Sequence, residues 1–169
     1  RRYARTRNAT KHARRTNGCF SECTMIIRKA TILDISAIYY MLTVMHKETE
    51  IKVSEINSAK LLDKLNQLIH QGIIIVAEKD KQLCGSIGGQ ISQDWWSDEK
   101  YVSDAWFYVY KNNRKSTIAK KLLQHFINVI KEAKMNLRLG HVFSGDIDRK
   151  DKFYERMGFV KAGSIYVEK

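Results

Sequence analysis

Arg114, Lys115, Ser116 and Thr117 stand in a row between a strand-like run and a helix-like one. That is a place where a chain can bind an anion. The first N–H groups of a helix have no carbonyl partners of their own, and the helix dipole adds positive potential there. Two cationic side chains come just before the helix, and two hydroxyls can cap it or donate to a ligand. A pyrophosphate would suit such a site. The same residues also read as an ordinary strand–helix connection with a basic first turn, and their types alone do not separate the two readings.

The elements that position this segment follow from periodicity. From Met25 onward the text alternates between strand and helix patterns. A strand is expected over 25–29. Thr31 and Asp34 form a capping-box-like pair, after which Ile35, Ile38, Leu42 and Met45 recur at helical spacing. A second helix is expected over 54–70, closed by Gly72. Strands over 73–78 and 83–91 flank an Asp80-Lys81 turn, and Gly85, Gly88 and Gly89 suggest a bulge or a close backbone approach. A loop with Trp95-Trp96 precedes an aromatic strand over 102–110. A helix over 116–133 carries Ile118, Leu122, Phe126 and Ile130 on its inner face. A strand over 137–143, a short helix over 149–156 ended by Gly158, and a strand over 159–167 complete the series. The expected fold class is α/β of the mixed α+β kind, one domain with a central twisted mixed sheet flanked by helices.

Composition narrows the classes further. The chain has 169 residues, 44% of them hydrophobic, which suits one globular domain. No apolar run approaches the roughly 20 residues of a membrane span, and residues 1–24 contain no apolar signal-like run. Seven of the 30 Lys and Arg and one of the 18 acids fall in residues 1–24, so half of the net charge of +12 sits on that segment. It lacks helical or strand periodicity, and is expected to be a disordered or non-native basic leader ahead of a domain over 25–169; a nucleic-acid-binding arm is the alternative. Cys19, Cys23 and Cys84 form no even framework, and a reduced, cytoplasmic protein is expected. Cys19-x-x-x-Cys23 has only His12 nearby and no second pair, so no metal is expected there.

Four segments then carry a resemblance. The run Tyr108-Val109-Tyr110-Lys111-Asn112-Asn113-Arg114-Lys115-Ser116-Thr117-Ile118-Ala119-Lys120-Lys121-Leu122-Leu123 resembles the acetyl-CoA-binding motif of the GNAT N-acetyltransferases. That motif is a Val-ended strand, a short turn, then Arg/Gln-x-x-Gly-x-Gly/Ala opening a helix. Arg114 matches its first position and Ala119 its last; Thr117 stands where Gly is usual and Lys111 where Pro is common. Met25–Ala30 with Asp34-Ile35 resembles the family's first strand and helix entry. Val76-Ala77-Glu78 with Leu83-Cys84-Gly85 resembles the hairpin of its second and third strands, where a short turn precedes a Gly-bearing strand. Lys152-Phe153-Tyr154-Glu155-Arg156-Met157-Gly158-Phe159 resembles its C-terminal Tyr-Glu-x-x-Gly-Phe signature.

The resemblance implies acetyl transfer from acetyl-CoA, as cosubstrate and without a metal, to an amine. It implies that the backbone N–H of Val109 binds the thioester carbonyl. It also implies that the amides of Lys115, Ser116, Thr117, Ile118 and Ala119, beside Arg114, bind the pyrophosphate. Tyr154 matches the family's general acid, a phenol that is protonated at neutral pH and can donate to the departing thiolate; the alternative is a packed core tyrosine. No general base is evident. Asp104 is the nearest acid, but strict strand alternation would turn it to the opposite face. His141, Asp146, Asp148 and water are the other options. Trp95 and Trp96 suit an acceptor wall or a homodimer contact, and Trp106 suits the core. An amine acceptor is the expected partner, with no membrane and no nucleic acid. The competing readings are a toxin-like aminoacyl-tRNA acetyltransferase, for which the body's charge is modest, and a non-enzymatic acyl-CoA- or nucleic-acid-binding module.

Overall fold

Arg28 governs how the chain passes from its first strand into its first helix. The computed structural model describes residues 25–49, 54–114, 116–140 and 146–163. Strand β1 (Met25–Lys29) leads through a 3-10 turn (Ile32–Asp34) into α1 (Ile35–Lys47). The Arg28 guanidinium donates to both oxygens of Asp34, at 2.8 Å each, and to Glu78 at 2.7 Å. The backbone N–H and hydroxyl of Thr31 also donate to Asp34. These hydrogen bonds, Arg28's first, hold the Asp34 carboxyl at about 2, against the desolvation of a buried acid. The Thr31–Asp34 pair is therefore the capping device its spacing suggests.

Helix α2 (Ser58–Gln71) starts four residues later than its apolar periodicity predicts, because the Asn57 side chain accepts from the N–H of Lys60 and sets the cap. Gly72 ends it beside the sheet; a Cβ there would lie 2.6 Å from the Gly89 carbonyl oxygen. Strands β2 (Ile73–Lys79) and β3 (Gln82–Gln93) form a hairpin whose turn residues, Asp80 and Lys81, take φ of 51° and 62°. Strand β4 (Lys100–Val109), helix α3 (Ile118–Glu132), strand β5 (Asn136–Arg138) and helix α4 (Ile147–Arg156) follow.

The sheet order is β1-β2-β3-β4-β5. All neighbours pair antiparallel except β4 and β5, which run parallel. Helices α1 and α2 cover one face, packing Ile38, Leu42, Leu65 and Leu68 on Ile74, Val76 and Trp106. Helix α3 covers the other, packing Ile118, Leu122, Phe126 and Ile130 on Ile75, Ile87 and Val102. Adjacent glycines of β3 admit one aromatic from each layer. A Cβ at Gly88 would meet the Trp106 indole, and one at Gly89 the Phe126 ring. Trp106 is thus a core residue.

Two expected strands differ. The strand predicted over 137–143 begins at Asn136 and ends at Arg138, pairing only with Tyr101–Ser103. Its apolar character continues to Leu139, but the N–H of Gly140 is taken at 2.7 Å by the side chain of Asp104 rather than by a strand backbone. Residues 159–163 of the predicted last strand have no strand pairing. The rest of both runs, over 141–143 and 164–167, lies outside the described residues, as do residues 1–24 with Cys19 and Cys23. Among the described residues no helix is long and apolar enough to cross a membrane.

Candidate functional site

Strand β4 carries the site, and a bulge at Ala105 decides which side chains face it. Gly88 pairs with Trp106, and Gly89 with Asp104, leaving Ala105 as the extra residue. In a regular strand, three positions apart, Asp104 and Phe107 would lie on opposite faces. With the extra residue, Val102, Phe107 and Val109 all pack in the α3 core, and Asp104 turns toward the same side. The alternation that would have turned Asp104 away therefore does not apply.

Past Ser103, no described residue of β5 pairs with β4. The backbone of the strand's end is accordingly turned toward an edge that β5 has left. The N–H of Tyr110 donates to the Cys84 carbonyl on β3 at 3.0 Å. In an antiparallel pair successive residues alternate sides, so the N–H and C=O of Val109 face away from β3. Its carbonyl accepts from Nε of Arg114 at 2.8 Å on that side.

A tight turn connects β4 to α3. Residues Lys111–Asn113 form a 3-10 turn, with the Asn113 N–H on the Tyr110 carbonyl at 2.8 Å. The Ser116 hydroxyl donates to the Asn113 carbonyl at 2.6 Å and accepts from the Ile118 N–H at 3.2 Å. Ser116 thus tethers the helix start. Thr117 sits at φ −79°, so its backbone does not need a glycine. The N–H groups of Ala119 and Lys120 belong to the first turn, where no intrahelical carbonyl reaches them. Lys115 lies outside the described residues.

Arg114 is not directed at the helix start. Its Nη2 donates to Glu48, at the end of α1, at 2.6 Å, and the guanidinium lies 5.2 Å from the Tyr108 ring centroid. The Tyr108 hydroxyl donates to the other Glu48 oxygen at 2.9 Å, and Lys111 Nζ lies 3.9 Å from it. Burial works against the Glu48 charge, yet the bonds from Arg114 and Tyr108 prevail and lower its carboxyl below the ordinary range. Burial, with the Glu48 charge, pushes the Tyr108 phenol up.

Tyr154 lies on α4, whose N-cap is Asp146: its carboxylate accepts from the Arg149 N–H at 3.0 Å. Asp146 therefore has a structural task, and Asp148 is an exposed residue of the helix's first turn. Gly158, at φ 91°, ends the helix. The Tyr154 ring is half-buried between Phe153 and Phe159, against the same core as Val109, Ile118 and Ala119. Burial, and then the negative charge of Asp104, raise its phenol above the ordinary value. Tyr154 is thus a protonated donor at neutral pH. Four of the expected site residues, Val109, Ile118, Ala119 and Tyr154, share one cluster. His141 lies outside the described residues, and no group of His, Cys, Asp and Glu side chains among those described could hold a metal ion.

Trp95 and Trp96 stand apart. They are 91% and 67% exposed and meet edge to face in the loop between β3 and β4, which Asp94 ties to Arg138 on β5. Sequence reasoning missed Glu48 and, although the β3 glycines suggest a bulge, missed Ala105 as its extra residue. A carboxylate at the C-terminal end of α1, where the helix dipole disfavours it, was a usable signal for the first. For the second, Gly88 and Gly89 opposite mark a bulge, but not that the extra residue is Ala105 on β4.

A model of the acetyltransferase (GNAT) domain matches residues 70–161. The chain belongs to the GNAT acetyltransferases. No curated protein matches it in sequence. Solved structures share the GNAT fold. A Clostridium difficile 630 protein described as a possible acetyltransferase superposes with TM-score 0.67 at 21% identity, covering 86% of this chain and 96% of its own. A predicted acetyltransferase from Clostridium acetobutylicum, solved with acetyl-CoA, gives TM-score 0.69 at 17% identity, covering 86% and 96%. AAC(6')-Iy, in complex with the bisubstrate analogue CoA-S-monomethyl-acetylneamine, gives TM-score 0.68 at 12% identity, covering 86% and 97%. In this GNAT domain the family match spans α3, the β4 bulge and Tyr154 together.

Proposed function

We propose that this GNAT domain transfers the acetyl group of acetyl-CoA to an amine acceptor. The observation that carries the reading is the gathering of the Val109 backbone, the first turn of α3 and Tyr154 on one side of a bulged β4. The residues present fit the cosubstrate. The amides at the start of α3, with Ser116 and Thr117, would hold the pyrophosphate, and the negative φ of Thr117 keeps the turn unstrained. The Val109 N–H, facing the edge that β5 has left, would donate to the thioester oxygen. Bound acetyl-CoA supplies an activated acyl group.

The chain's own groups then act on the reaction. As the acceptor nitrogen bonds to the acetyl carbon, the carbonyl oxygen gains negative charge, which the Val109 N–H stabilises. As the carbon–sulfur bond breaks, Tyr154 donates its proton to the departing sulfur. The amine's proton leaves toward Asp104, whose charge Tyr154 senses, or toward water. The domain is proposed to act in the cytoplasm. The fold relative that binds a CoA–acetylneamine analogue supports an arrangement in which cosubstrate sulfur and acceptor amine meet in one cleft.

The test is twofold. Calorimetry should detect CoA binding to the full chain. A panel of small polyamines, aminoglycosides, peptides and proteins should then be screened for acetyl-CoA-dependent thiol release. Binding with turnover on an amine supports the reading. Absence of CoA binding would refute it, and binding without turnover on any amine would leave an acyl-CoA-binding module.

A further inference from the structure

Glu48 is a carboxylate at the C-terminal end of α1, the end at which a helix dipole favours cations. It is also largely shielded, with 19% of its side-chain surface exposed. Such a position is unfavourable unless other groups compensate. Here three do: Tyr108 on β4, Lys111 in the 3-10 turn, and Arg114 just ahead of α3. All three belong to the end of β4 or to the connection that leads from it to the proposed pyrophosphate site. Glu48 itself comes from the opposite face of the sheet.

Arg114 joins the two sides. Its Nε holds the Val109 carbonyl at 2.8 Å while its Nη2 holds Glu48 at 2.6 Å. One planar fork thus ties Arg114, in the turn ahead of α3, to the last residue of β4 and to Glu48 at the end of α1. A lysine has the charge but not the rigid fork, and would have to reach a carbonyl and a carboxylate from one nitrogen on a flexible stem. The positive charge of Arg114 is already matched by Glu48, so its main contribution is to the shape of the turn.

We propose that Glu48 is a positioning residue for cofactor binding: acting through Arg114, it holds the β4–α3 turn in the form that presents the first amides of α3 to the pyrophosphate. This rests on the cofactor reading above. A preformed turn costs less ordering when the ligand arrives. Glu48 has no direct contact with the ligand in this scheme; its effect passes through the Arg114 fork and the Val109 carbonyl.

The experiment is calorimetry of CoA binding to the full chain, with melting temperature measured alongside, for wild type, Glu48→Ala, Glu48→Gln, Arg114→Ala, Arg114→Lys and the double alanine variant. Glu48→Ala should weaken CoA about tenfold through lost preorganisation. Glu48→Gln should stay within about threefold of wild type, since its amide oxygen can still accept from Arg114 while its amide N–H donates to the Tyr108 hydroxyl, which can accept. Arg114→Lys should bind as weakly as Arg114→Ala, and the double variant no more weakly than Arg114→Ala alone, because the two residues act as one unit. Unchanged binding in Glu48→Ala would overturn the proposal. So would tighter binding, which would make Glu48 merely a repelling charge. Arg114→Lys at wild-type affinity would overturn it too, by showing that charge and not the fork matters. Should Glu48→Ala fail to fold, the Arg114→Lys result decides. A wild-type chain that takes up no CoA would overturn the cofactor reading and the role of Glu48 with it, whereas wild-type binding with an indifferent Glu48→Ala would remove only the latter.

Discussion

Strand β4 is held by an arginine and a carboxylate at each end, and the two pairs differ in what they hold. At the start, Arg138 grips Asp94 with two bonds of 2.8 and 2.6 Å and stacks on Tyr101 at 3.8 Å. That pair ties a surface loop with two exposed tryptophans to the edge strand. At the end, Arg114 grips Glu48 with one bond and spends another on the Val109 carbonyl, while Tyr108 completes the carboxylate. Ideal geometry alone therefore does not mark the pair proposed to serve the cofactor. The first arrangement is a bidentate clamp between side chains, with Arg138 mostly exposed, and it holds no backbone of the proposed site. The second is partly shielded and holds backbone that the proposed ligand would use.

The largest expected effect belongs to the end of β4. Tyr154→Phe removes the proton donor and keeps the ring packing on Phe153 and Phe159. With an accepted amine, kcat should fall about 10²-fold or more, with CoA affinity nearly unchanged. A variant with wild-type kcat, where chemistry limits the rate, would reduce Tyr154 to packing. It would also remove the reason for treating the two ends of β4 differently.

A third brace sets the scale between them. Asp34 titrates at about 2, chiefly because Arg28 donates to it. A carboxyl depressed in the folded state stabilises above its unfolded value, and that stabilisation is lost as pH falls through the folded one. The shift from 3.8 to about 2 corresponds to about 2 kcal/mol. Melting temperatures of wild type and Asp34→Asn should thus differ by roughly 4–8 °C above pH ~4 and converge toward pH ~2. Curves that stay parallel through that window would show that the Arg28 brace does not work by charge.

The smallest effect belongs to the start of β4. Arg138→Ala should change the melting temperature by little, shrink further in added salt, and leave CoA affinity at the wild-type value. A loss of CoA affinity comparable to that expected for Arg114→Ala would erase the comparison. It would place the Trp95-Trp96 loop in the cofactor's reach.

Much of the frame was legible in the text. The helix over α3 shows its inner face as Ile118, Leu122, Phe126 and Ile130, all buried. The glycine cluster of β3 announced a close approach, realised by Trp106 and Phe126. The turn ahead of α3 and the Tyr-Glu-x-x-Gly-Phe run were recognisable because they are marked by local backbone: a helix start, and a helix ended by Gly158 in a left-handed conformation. The start of α2 was misplaced because a cap outweighed apolar spacing, and β5 was overextended because apolar residues alone do not reveal where a partner strand stops.

The sequence by itself determined the alternation of strands and helices, the two buried faces of the sheet and the polar helix start, since period, capping and burial act over a few neighbouring residues. Only the tertiary structure decided that Asp104 shares a side with Phe107 and Val109, because one unpaired residue at Ala105 reverses the alternation and depends on what β3 places opposite. It alone decided that Arg114 faces Glu48, 66 positions earlier in the chain. A charge pairs with whatever folding brings within a few ångströms, and linear order carries no record of that distance.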